Sequence, residues 1–164
     1  MKAPMRMKSF FAHLDAKRTL ALVLGPGAAA IGGDAAIAHF AGREMAHPAQ
    51  LLPVVVAPLA CLALMAVAAP RLPDLWFRRG ARAVGTVLTI LGTVGTGFHG
   101  RALARLLEGS PFTWENLKTA LAVAPPILAP GAFVMLGMMV FALGSPRVRI
   151  ELEPVAPLRL ARAA

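Results

Sequence analysis

The sequence is short of cysteine and short of charge. One cysteine, Cys61, stands among 164 residues, so the chain can build neither a disulfide framework nor a redox pair of its own, and the thiol reads as a small apolar packing residue. Charged residues make up 15%, with eight carboxylates in all. A soluble bundle shows a charged face on every helix, and none of the long apolar stretches here has one. Several familiar chemistries are missing too. There is no Cys-x-x-Cys-His for covalent haem and no His-Glu-x-x-His. No serine is grouped with a histidine and an acid, and no glycine-rich loop opens a helix to hold phosphate. A basic stripe interleaved with aromatics, the footprint of nucleic-acid binding, is also lacking, so nucleic acid is not an expected partner.

What remains is apolar. Hydrophobic residues make up 57% of the chain and the mean hydropathy is +0.66, the profile of a membrane protein. Crossing a hydrocarbon core about 30 Å thick takes roughly 20 helical residues. Four segments qualify, at about 19–41 (with Asp34 tolerated), 49–70, 83–100 and 119–144. The expected fold is an all-α integral membrane protein, a four-transmembrane-helix bundle forming a single domain over 1–164, with a basic N-terminal tail 1–18 and a C-terminal tail 145–164. The first segment also has the outline of a signal peptide, with a basic start, an apolar stretch and the small residues of "GDAAIA". Its long basic region and its continuation past Asp34 favour a span.

The basic residues set an expected orientation. Five of the 17 Lys and Arg lie in the N-terminal tail (Lys2, Arg6, Lys8, Lys17, Arg18), four between the second and third segments (Arg71, Arg78, Arg79, Arg82) and four in the C-terminal tail (Arg147, Arg149, Arg159, Arg162). Only Arg43, Arg101, Arg105 and Lys118 lie on the other flanks. The positive-inside rule then puts both termini in the cytoplasm. Arg outnumbers Lys 13 to 4 and Ala is abundant, as in GC-rich bacterial genomes, which points to a bacterial inner membrane. The N-terminal tail, with Phe10, Phe11 and Leu14, suits an amphipathic segment lying on anionic lipid headgroups. Trp76 and Trp114 read as interface anchors at opposite faces.

The scarce ionisable residues gather in "IGGDAAIAHFAGREMAHP". Asp34, His39, Glu44 and His47 fall at the outer end of the first segment, and His99 ends the third at the same face. Gly25, Gly32 and His39 are spaced by seven, and so are Gly85, Gly92 and His99. Residues seven apart share a helix face, and small residues allow close helix approach. The two glycine stripes are therefore expected as packing seams, with the first and third helices joined through them and His39 facing His99. These two imidazoles are the candidate cofactor ligands. With His47, Asp34 and Glu44 they form a candidate metal set, for which haem b, copper or zinc would suit the donors, and no cofactor at all is the default expectation. A carboxylate within a span costs about 2.5–3.5 kcal/mol on insertion scales, so Asp34 is expected to face the bundle interior and to have a partner. It lies about 140° around the helix from His39, hence on a different face.

Pro53 and Pro58 are expected to interrupt the second helix, and Pro125, Pro126 and Pro130 to disturb the fourth. Met135, Met138 and Met139 read as packing or lipid-facing residues rather than copper ligands. Three functions fit: a non-enzymatic accessory or structural membrane subunit with a polar outward-facing pocket, in a homo-oligomer or larger complex; a haem-, metal- or quinone-binding redox component using His39 and His99; and a small proton-coupled carrier centred on Asp34.

Overall fold

The computed structural model describes residues 15–40, 48–123 and 128–150. Among them there are helices and turns and no strand. Helix α1 runs Ala16–Phe40, a 3-10 turn covers Pro48–Gln50, and α2 follows at Leu51–Val67. Then come α3 at Asp74–Leu107, a short α4 at Trp114–Val123 and α5 at Leu128–Leu143. Three helical stretches, Ala16–Phe40, Pro48–Val67 and Asp74–Leu107, are long and apolar enough to cross a membrane, while the apolar stretch Ala129–Leu143 is shorter. Within the expected span at 119–144 the described residues form α4 up to Val123 and α5 from Leu128, and residues 124–127, including Pro125 and Pro126, lie outside the described residues.

Helix boundaries follow local chemistry rather than hydropathy. Asp15 caps α1, its Oδ1 accepting from the Arg18 backbone N–H at 2.8 Å, and Thr113 caps α4 through the Asn116 N–H at 3.2 Å. Each satisfies a donor that the first helical turn leaves free. Helix α3 begins nine residues before and ends seven residues after the expected segment 83–100. Its charged first turns are compatible with helix, Asp74 pairing with Arg78 at the i,i+4 spacing. It stops at Gly109, whose φ of 78° is the left-handed conformation in which glycine ends helices. At 34 residues it is about 51 Å long, against a hydrocarbon core of about 30 Å.

The expected break in α2 does not occur, since α2 is one helix with Pro58 inside it. Pro53 is its third residue, where the missing N–H has no acceptor within the helix. Pro58 deletes a single interior bond in a helix otherwise made of strongly apolar residues.

The helices pack as an antiparallel bundle, with the largest contacts between α3 and α5 and between α1 and α2. Buried residues on α1 are Arg18, Ala21, Gly25, Ala28, Gly32 and Ala35, a stripe at alternating steps of three and four. On α3 they are Phe77, Ala81, Gly85, Leu88 and Gly92, the same rhythm. Ala28, Ala57, Ala60, Leu88, Phe133 and Leu136 form the central core. Small residues on α1 and α2 therefore meet larger ones from α3 and α5.

The glycine stripes do face neighbours, but not each other. A Cβ built at Gly32 would meet Ala57 and sit 3.2 Å from the Pro53 carbonyl, and one at Gly25 would lie 3.4 Å from the Cys61 carbonyl. Both neighbours belong to α2. A Cβ at Gly92 would lie 2.6 Å from the Pro130 oxygen and 2.6 Å from the Val134 nitrogen, and one at Gly85 would lie 2.7 Å from the Gly137 oxygen. Both of those belong to α5. The expectation that α1 and α3 join through these glycines is corrected: α1 uses its stripe against α2, and α3 uses its stripe against α5. A run of small residues marks a close approach without saying which helix makes it.

Outside this core, large apolar side chains point away from the bundle, among them Val55, Leu59 and Leu62 on α2, Val87, Ile90, Val94 and Phe98 on α3, and Met135, Met138 and Met139 on α5. Such a belt suits contact with lipid acyl chains.

Candidate functional site

The bundle has two chemically distinct ends. At one end His39, a heptad beyond Gly32 on α1, meets His99, a heptad beyond Gly92 on α3. Their ring centroids are 6.1 Å apart and the planes are nearly perpendicular, at 89°. Both side chains are half-buried. Two helices whose glycine seams lead elsewhere are thus brought together at this end by imidazoles. An edge-to-face pair of this kind can hold through N–H and ring contacts, or present ring nitrogens to a shared ligand.

Other members of the candidate set do not join them. Asp34 is exposed on α1, on the face that also carries Val23 and Ile37, which are 64% and 68% exposed. It makes no hydrogen bond or ion pair among the described residues, and the expectation that it faces the bundle interior is corrected. The cause is geometric: the inward stripe of α1 passes through Gly32 and Ala35, and Asp34, between them in sequence, falls outside it. Glu44 and His47, with Arg43, lie outside the described residues. Among the described residues no three of His, Cys, Asp and Glu gather closely enough to hold a metal ion. Cys61 is half-buried on α2, its Sγ 4.0 Å from the Met65 sulfur.

The opposite end contains what sequence reasoning missed. Arg18, 6% exposed, donates from Nη1 to the Ala69 carbonyl at 2.6 Å and from Nη2 to the Leu72 carbonyl at 2.8 Å. Its guanidinium also lies 5.1 Å from the centroid of the fully buried Phe77 ring, and its Nε is 3.6 Å from Asp15. Lys17 Nζ donates to the Ser145 carbonyl at 2.8 Å. Two adjacent residues of α1 therefore hold the carbonyls just past the ends of α2 and α5, where the helix dipoles leave partial negative charge. Arg18 also covers the first turn of α3, so all four elements converge on this pair. In the charge count both are simply cations of the N-terminal flank. For Arg18 the available signal was its position on the buried stripe, three residues before Ala21 and seven before Gly25.

Trp76 and Trp114 are exposed, at 58% and 67%, near opposite ends of the bundle, with Lys118 Nζ 5.9 Å from the Trp114 ring centroid. Comparison of the chain with protein-family models, with curated proteins and with solved structures yields no match.

Proposed function

We propose that this chain is a non-enzymatic accessory subunit of a larger membrane complex, held in a bacterial inner membrane with both termini in the cytoplasm. The 13 to 4 division of Lys and Arg between alternate flanks supports the orientation. The observation that carries the reading is Asp34. It lies 16 residues beyond Arg18, about 24 Å along α1, so with Arg18 at one boundary of a hydrocarbon core about 30 Å thick it is still within the apolar zone. A carboxylate facing outward at that depth, with no partner among the described residues, is costly in lipid and becomes favourable when a neighbouring helix supplies a donor or a cation. A symmetric pair of copies meeting on this face would bring two carboxylates together near the axis, which favours a different chain as neighbour.

A photocrosslinking residue at Ile37, one turn from Asp34, is expected to give a discrete protein adduct in native membranes, and Asp34→Leu should reduce its yield at least fivefold. Adducts to lipid alone would overturn the reading, and an adduct of twice the chain's mass would replace the foreign subunit with a second copy.

The 6.1 Å approach of the two imidazoles favours one second reading, a redox or metal-binding component. His39 and His99 would be its ligands. That reading expects protein purified in detergent to carry a Soret band or stoichiometric metal that disappears in His99→Ala. A sample with neither signal would leave the pair as a polar contact between α1 and α3.

A further inference from the structure

A trough runs down the outward side of the α3–α5 contact. It is lined by Thr86, Thr89, Ile90, Met138 and Phe141 and has a volume of about 320 Å³. It exists because the two backbones are drawn together beside it: a Cβ at Gly137 would lie 2.7 Å from the Gly85 oxygen, and the small Thr86 and Thr89 leave the flank unfilled. The Thr89 hydroxyl is already committed, donating to the Gly85 carbonyl at 2.8 Å, so Thr89 offers the trough little besides its methyl group.

The end of the trough nearer the basic end of the bundle is not apolar. Arg82 precedes Thr86 by one turn on the same face of α3, and its guanidinium lies 5.8 Å from the centroid of the Phe141 ring, itself part of the lining. Arg82 is exposed and has no carboxylate partner among the described residues. Arg79, three residues earlier on that face, is exposed and equally without one. Arg78 differs, being neutralised by Asp74. From Arg82 to Ile90 is about 12 Å along the helix, close to the depth of one leaflet, half of a core about 30 Å thick.

We propose that this trough binds one anionic phospholipid, with an acyl chain lying along Thr86, Ile90 and Met138 and the phosphate held by Arg82 with Arg79. Charge selects the occupant. The planar guanidinium fork matches a phosphate in geometry and charge, basic pockets between membrane helices recognise anionic headgroups, and the apolar outward-facing walls suit a chain rather than a soluble ion. Met138 supplies a flexible wall that can follow it. The site stands apart from Asp34 and from the histidine pair.

Native mass spectrometry of the full chain from detergent, titrated with phosphatidylglycerol or phosphatidylcholine of the same acyl composition, tests the site. One phosphatidylglycerol per chain is expected, at least fivefold above phosphatidylcholine. Arg82→Gln should abolish the preference, whereas Arg71→Gln, an exposed cation at the same end, should leave it intact. Thr86→Trp, which fills the trough and keeps both arginines, should lower phosphatidylglycerol binding at least fivefold. Equal binding of the two lipids by the unaltered chain overturns the proposal. So does a preference that survives both Arg82→Gln and Thr86→Trp, or one lost as fully in Arg71→Gln.

Discussion

Arg18→Met unfolds the bundle at markedly lower temperature or denaturant, with an expected loss of about 3–5 kcal/mol. The loss has three sources. Two hydrogen bonds from a charged donor, to the Ala69 and Leu72 carbonyls, contribute about 1.5–3 kcal/mol each. The guanidinium over the Phe77 ring adds about 1 kcal/mol or more where water is excluded. Methionine keeps much of the packing on that ring, so part of the loss is recovered and the total stays within the stated range. Lysine is not a substitute, because one ammonium cannot span two carbonyls in the geometry of a planar fork; Arg18→Lys should retain less than half of the stabilisation. Arg105→Met, at an exposed site, is the control and should change stability by about 0.5 kcal/mol or less. Helicity followed through unfolding in detergent measures all three, and an Arg18→Met midpoint equal to that of the control would refute the clamp.

Gly92→Leu is expected to prevent assembly of α3 with α5. The atoms that a side chain would meet are the Pro130 carbonyl and the Val134 nitrogen, each 2.6 Å from the ideal Cβ. Backbone cannot rotate aside as a side-chain tip can, so even Gly92→Ala should cost about 1–3 kcal/mol by overpacking. The outward positions behave oppositely. Nothing lies within 4 Å of a Cβ at Gly33, and Gly33→Ala should be neutral or stabilise by up to about 1 kcal/mol through helix propensity. Val87, 48% exposed, should accept leucine without measurable change. Equal melting of Gly92→Leu and Val87→Leu would mean that the α3–α5 contact is not close in solution.

These residues also show what a sequence reader can and cannot see. Spacing by seven was enough to place Gly25, Gly32 and His39 on one face of a helix and Gly85, Gly92 and His99 on another, because periodicity is a property of the single helix. Which helix lies opposite depends on all the surfaces at once, and the true partners of the glycines on α2 and α5 could not be read from the stripe. Asp34 was half legible. Its 140° offset from His39 put it off the histidine's face, and once that face is recognised as the inward one, an outward carboxylate follows. The extent of α3 was hidden because hydropathy reports where a chain can meet lipid, whereas the helix ends where its hydrogen bonds do. Gly109, shortly beyond the last apolar turn, was the available signal. Arg18 was least legible, since its acceptors are main-chain carbonyls, which every residue has and no residue type marks.

The clamp at Arg18 also sets a clock on biogenesis. Its first acceptor, Ala69, is 51 residues away along the chain, so at roughly 5–20 residues per second the guanidinium leaves the ribosome about 3–10 s before that carbonyl does. During this interval the guanidinium has neither carbonyl to hold and must stay hydrated, because an unpaired buried charge is costly. Burial of the arginine must then await the return of α2 alongside α1 and the first turn of α3 with Phe77, so α1 is made well before its own base can close.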